Sequence, residues 1–88
     1  MIHRDKDWLA AQVGDELVMM SATKGNYLAL SEVGARIWQL IEQPQGIDSL
    51  CATLIAEYDV EPETCRAEVE AFVETLAANN AIRIDADT

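Results

Sequence analysis

Histidine and basic residues are scarce in this chain, and that scarcity sets the first limits. Among 88 residues there are six Lys or Arg and one His against sixteen Asp and Glu, a formal net charge of −10. A surface of that sign repels phosphate backbones and anionic lipids. It suits a basic or neutral partner, or serves solubility alone. The lone histidine, His3, lies in a polar N-terminal stretch expected to be mobile, reads as an incidental surface residue, and cannot build a histidine metal site by itself. Cys51 and Cys65 have thirteen residues between them and form no CxxC pair. No metal is therefore expected, and both cysteines read as small core residues in a reducing compartment. The four glycines are scattered rather than gathered into a phosphate-cradling loop. No run approaches the roughly 20 apolar residues of a membrane span. The opening MIHRDKDW lacks the apolar stretch of a signal peptide. The expected setting is cytosolic, away from membranes, with no catalytic constellation and no cofactor.

What is present is a foldable core, since half of the residues are hydrophobic. The length fits a single domain spanning 1–88, with an ordered core of about 8–84. Three strands are expected first: Trp8 to Val13, ended by Gly14-Asp15; Glu16 to Ser21, ended by Thr23-Lys24-Gly25; and Asn26 to Leu30. The links are too short for parallel crossovers, so the sheet is antiparallel. Leu28 and Leu30 share one face of the third strand, Tyr27 and Ala29 the other. The apolar period then lengthens to about 3.6. Ser31 reads as an N-cap, followed by a stripe of Val33, Ile37, Leu40 and Ile41 that Trp38 widens. Pro44-Gln45-Gly46 stops this helix, and a second runs from about Asp48 to Tyr58. A third opens at Pro62, buries Cys65, Val69, Phe72, Val73 and Leu76, and is capped by Asn79-Asn80. Ile82 to Ile84 is long enough for a short strand, and Asp85 to Thr88 is expected to fray. The fold class is α+β: a three-stranded antiparallel N-terminal sheet packed on three helices, winged-helix-like. Gly34 is the anomaly. A helical Gly costs about 1 kcal/mol relative to Ala, which implies close packing of the first helix against the sheet.

The winged-helix outline raises nucleic-acid binding, and charge removes it. The third helix carries Glu61, Glu63, Glu68, Glu70 and Glu74 against one Arg66, so a groove lined by phosphates would expel it. The strand Asn26 to Leu30 leads straight into the first helix. If it lies at the sheet edge, its outer backbone groups can pair with an added peptide strand, with the third helix as a wall. A short, harmless edge is the competing reading.

The order Gly25-Asn26-Tyr27-Leu28-Ala29-Leu30, then Val33-Gly34-Ala35-Arg36-Ile37-Trp38, preceded by Val13-Gly14-Asp15-Glu16 and followed by Tyr58-Asp59-Val60, resembles the PqqD-like family. The likeness covers roughly residues 8 to 84. It implies a protein that binds the leader region of a ribosomally made precursor peptide and presents it to a leader peptidase, a cyclase or another peptide-modifying enzyme. Lasso peptide biosynthesis is the setting it points to. Pyrroloquinoline quinone synthesis with a radical enzyme, or a scaffold binding a folded protein, are the alternatives. Carried onto this chain, the resemblance implies that Asn26, Tyr27, Leu28, Ala29 and Leu30 form the docking strand. Arg66, Val69, Glu70 and Val73 are then expected on the helix side of the cleft, with Phe72 and Leu76 in the core. Glu68, Glu70 and Glu74 either steer a basic leader or are simply a solvated face.

Overall fold

The chain runs through strands, three helices and a short final strand in the expected order, with one strand added at the front. The structure, a computed structural model, describes residues 1–84. The expected fraying of Asp85 to Thr88 falls outside the described residues. The elements are β1 (Ile2–Arg4), β2 (Trp8–Val13), β3 (Glu16–Ser21), β4 (Tyr27–Leu30), α1 (Glu32–Leu40), α2 (Ile47–Glu57), α3 (Pro62–Ala78) and β5 (Ile82–Ile84). Strands β2, β3 and β4 form an antiparallel sheet in that spatial order, and β1 pairs antiparallel with β5.

The turns follow from the residues that make them. Gly14 and Gly25 take positive φ (63° and 74°) at the ends of β2 and before β4, a conformation that costs glycine little. Ser31 caps α1, its Oγ accepting from the Gly34 N–H at 3.1 Å. Pro62 occupies the first turn of α3, where its missing N–H is no loss. Asn79 ends that helix, and Asn80 follows in the left-handed region at φ 58°.

The core lies between the sheet and the helices. Met19, Leu50, Val69 and Leu76 have no exposed surface, and Trp8, Leu30, Ile37, Trp38, Ile41 and Leu54 are buried around them. On β4 the inward residues are Leu28 and Leu30, and Tyr27 and Ala29 face outward. The helical period thus turns one stripe of each helix inward, as the spacing implies.

The N-terminus departs from expectation. Ile2 is buried, pairs with Ile84, and donates its N–H to Gln45 O at 2.7 Å. His3 stands opposite Arg83 with its Nε2 buried, so neither a mobile segment nor an incidental surface residue describes it. Arg4 reaches across to α1. Its guanidinium donates to the Trp38 carbonyl and lies 4.5 Å from the centroid of the Trp38 ring. Trp38 therefore anchors α1 both to the core and to β1.

Gly34 is also explained differently. A Cβ there would stand 3.1 Å from the ring of Phe72, so the close approach is between α1 and α3 rather than between α1 and the sheet.

Truncating a fully buried stripe residue should cost the full transfer and cavity penalty. Leu76→Ala is expected to lower unfolding stability by about 2–5 kcal/mol, read as a lower midpoint in urea with an unchanged slope.

Candidate functional site: the open edge of β4

Among the described residues, β4 has a partner on one side only. The ladder fixes which backbone groups that leaves. Ser21 N–H donates to Asn26 O at 2.8 Å. Bonded and non-bonded pairs alternate along an antiparallel ladder. Met19 with Leu28 and Leu17 with Leu30 are therefore bonded pairs. The N–H and C=O groups of Tyr27 and Ala29 consequently point away from β3, toward the open edge.

The turn that delivers β4 is tied down by Asp7. The Asp7 carboxylate accepts from Ser21 Oγ and from both the N–H and Oγ of Thr23. Ser21 Oγ in turn accepts from the Lys24 N–H at 3.1 Å. These bonds, Ser21 first and Thr23 second, hold the Asp7 carboxyl below its ordinary value of 3.8.

At the C-terminal end of β4 a groove of about 450 Å³ opens between the first turn of α1 and the middle of α3. Ser31, Val33 and Gly34 line one wall, and Glu68, Ala71 and Phe72 the other. The lining is mainly apolar, with Glu32 and Glu68 at the rim. A second, more polar groove of about 400 Å³ lies on the other side of the same strand end, with Asp15, Glu16, Glu32 and Tyr58 in its walls. Arg36 lines it too, but its guanidinium is bound to both oxygens of Glu57. That pairing raises the Arg36 pKa and lowers that of Glu57.

The expected site residues divide into two groups. Asn26 to Leu30 lie together on the hairpin and its open edge, with Asn26 just ahead of β4. The helix-side set does not line the groove. Val69 and Val73 are inside the core, 0% and 4% exposed. Arg66 bonds Asp48 at 2.6 Å and pairs with Glu70 at 3.3 Å, on the flank of α3 that faces the start of α2. At about 100° per residue, that flank lies roughly opposite Glu68 and Phe72. The α3 wall is instead Glu68, Ala71 and Phe72, with Phe72 half-buried rather than wholly core. The available signal was Gly34: a helical glycine marks a close neighbour, and that neighbour is the Phe72 ring.

Other reactive groups are set apart from this site. Cys51 and Cys65 are free and buried, and burial pushes the Cys51 thiol up, away from the nucleophilic thiolate. Among the described residues no group of three or more His, Cys, Asp or Glu is placed to hold a metal ion. No described helix is long and apolar enough to cross a membrane.

Residues 16–82 match the family model described as coenzyme PQQ synthesis protein D (PqqD). The chain belongs to the PqqD family. Two solved structures place this PqqD-family fold beside known ones. One, "TbiB1 in Complex with the TbiA(beta) Leader Peptide", is 28% identical with a TM-score of 0.84, over 97% of this chain and 99% of that one. The other, "Lasso peptide synthetase B1 complexed with the leader peptide", has a TM-score of 0.83 over 94% of this chain and 98% of that one. At 22% identity that second likeness concerns the fold. No curated protein sequence matches the chain.

The Asp7 carboxylate gives the turn a pH dependence of defined sign. Because its folded pKa is depressed, the stabilisation is complete above 3.8 and fades as pH falls through the lower folded value. Thr23 and Lys24 amide signals should therefore move together on acidification below that value, and Asp7→Asn should remove the acid-side change. An unaltered titration in the variant would assign it to another group.

Proposed function

We propose that this protein binds the leader region of a ribosomally made precursor peptide and presents it to a peptide-modifying enzyme or leader peptidase in the cytosol, in lasso peptide biosynthesis. The observation that carries this reading is the open edge of β4, whose Tyr27 and Ala29 backbone groups face outward beside an apolar groove. An extended peptide adding antiparallel to β4 gains main-chain bonds there. Its N-terminal portion then runs past Leu30 toward Ser31, where the groove walled by Phe72 accepts an apolar side chain. Delivery needs no chemistry from this chain, because holding the peptide near an enzyme raises its effective concentration.

The lasso setting is supported by the likeness to TbiB1, whose structure contains a leader peptide. The description of the matching family model favours a second reading, a peptide chaperone of pyrroloquinoline quinone synthesis. The two differ in which leader binds.

Binding is tested by titrating the protein with leader peptides of both kinds and following backbone amides. Saturable shifts along Asn26 to Leu30 and at Ser31, Gly34, Ala71 and Phe72 are expected with one kind. Ala29→Pro supplies the sharper test. It removes an outward N–H while leaving the β3–β4 bonded pairs intact, and proline is tolerated at a strand edge. Leader affinity should fall about tenfold or more, since one lost bond and the ring's bulk act together, with the fold unchanged by amide dispersion. Undiminished affinity in a folded Ala29→Pro protein would move the peptide off this edge.

A further inference from the structure

The few cations of this chain are not spread over its surface. Arg4, Asp5, Lys6 and Arg83 line a groove of about 360 Å³ beside the β1–β5 pair. That gathers three of the six Lys and Arg, in a chain of net charge −10, into one place. A fourth, Lys24, is close enough to Asp7 for its charge to act on that carboxylate. The other two, Arg36 and Arg66, are tied to Glu57 and to Asp48 and Glu70. Among the described residues no carboxylate lies within ion-pair distance of Arg4, Lys6, Lys24 or Arg83. Asp5, the one acid in the lining, is engaged through Oδ1 by the Asp7 N–H at 2.8 Å. Glu42 acts on Arg4 only at longer range. The Arg4 guanidinium is fixed against Trp38, while Lys6 and Arg83 are exposed.

We propose that this groove binds acidic residues of the precursor peptide itself, in the segment that follows the part added to β4. The inference rests on the leader-binding reading above and names the charge pattern of the leaders it selects. Antiparallel addition sets the direction. The peptide's N-terminal portion lies toward Ser31, so its C-terminal portion leaves β4 past Tyr27. The Ala22 N–H donates to Asp7 O at 3.0 Å, and the Thr23 N–H to the Asp7 carboxylate. The turn before β4 and Lys6 therefore share one end of the sheet, the end at which the peptide departs. From an added strand to the start of β2 is three inter-strand spacings, about 14 Å, which about four or five extended residues cross.

Charge then distinguishes the two ends of the peptide. The grooves at the Leu30 end are rimmed by Glu32, Glu68, Asp15 and Glu16, which repel a carboxylate. The cations beyond the Tyr27 end attract one. A leader acidic on its C-terminal side is thus held in one direction along β4 and disfavoured in the other. An extended polyanion is a poorer occupant. A nucleic-acid strand or an anionic membrane reaching this groove would also face the acidic surface around it. A few carboxylates on a peptide already held at β4 reach the cations alone, at an effective concentration that lets weak exposed contacts count.

The test uses the full chain and the precursor peptides encoded beside its gene, with affinity read by calorimetry. Wild-type protein should bind one precursor. Amides in place of the acidic residues within about ten positions after its β4-pairing segment should weaken binding about fivefold. Lys6→Gln/Arg83→Gln should weaken the unaltered precursor equally and leave the amidated one unaffected, with the shifts of the β4 amides retained. The difference should shrink as salt rises. Ala52→Glu/Ala56→Glu changes the net charge by the same amount at exposed positions of α2 and should bind the precursor within about twofold of wild type. Equal affinity of wild type and Lys6→Gln/Arg83→Gln for a precursor that shifts the β4 amides overturns this inference and leaves leader binding standing. So does an equal loss in the α2 variant, which assigns the effect to net charge, and so does a bound precursor with no acidic residue in that segment. If wild type binds no precursor at all, the leader-binding reading fails first, and this inference falls with it.

Discussion

The close approach of α1 to α3 depends on one contact, the ring of Phe72 against the bare backbone of Gly34. A Cβ at that position would lie 3.1 Å from the ring, tighter than ordinary packing allows. Everything at the candidate site inherits this spacing. It holds the first turn of α1, and with it the end of β4, close to α3. The same approach leaves Phe72 only half-buried, its ring serving as floor of the core on one side and wall of a groove on the other. Helix propensity argues against glycine here by about 1 kcal/mol, and the geometry of the groove is what that cost sustains.

Much of this arrangement was legible in the chain, because the strongest signals were periodic. The alternation of Leu28 and Leu30 against Tyr27 and Ala29 announced the two faces of β4, and Ser31 and Pro62 announced where helices begin. Two things were hidden for different physical reasons. Strand β1 has a single buried apolar residue, Ile2, and owes its existence to a partner at the far end of the described chain; local pattern carries no trace of so distant a pairing. On α3 the period identified the buried stripe but not which flank of it meets α1. Val69 and Val73 belong to the stripe itself, whereas the flank is settled by tertiary contact with Gly34. The anomaly of that glycine was visible, and only its neighbour was not.

Charge plays a limited part in holding the fold and a larger part in selecting what approaches it. The ties of Arg36 to Glu57 and of Arg66 to Asp48 and Glu70 are exposed, and such pairs contribute little to stability. The buried stripes of the three helices and the inner face of the sheet carry the load instead. The surplus carboxylates act at longer range, discouraging nucleic acid and anionic surfaces and favouring a basic approach. Open backbone groups on β4 leave one edge of the sheet free to pair.

The pairing of β1 with β5 has a kinetic consequence. The β2–β3 and β3–β4 hairpins close loops of a few residues, whereas Ile2 meets Ile84 only after nearly all the intervening chain has been gathered in. Closing a long loop costs more entropy than closing a short one, and non-local pairings slow folding. The β3–β4 hairpin therefore depends on local pairing alone, and the β1–β5 clasp on the ends of the chain being brought together. The strand with the open edge is thus held by short-range pairing to β3, while the seam that joins the two ends of the described chain is held by a separate set of bonds and by the burial of Ile2 and Ile82.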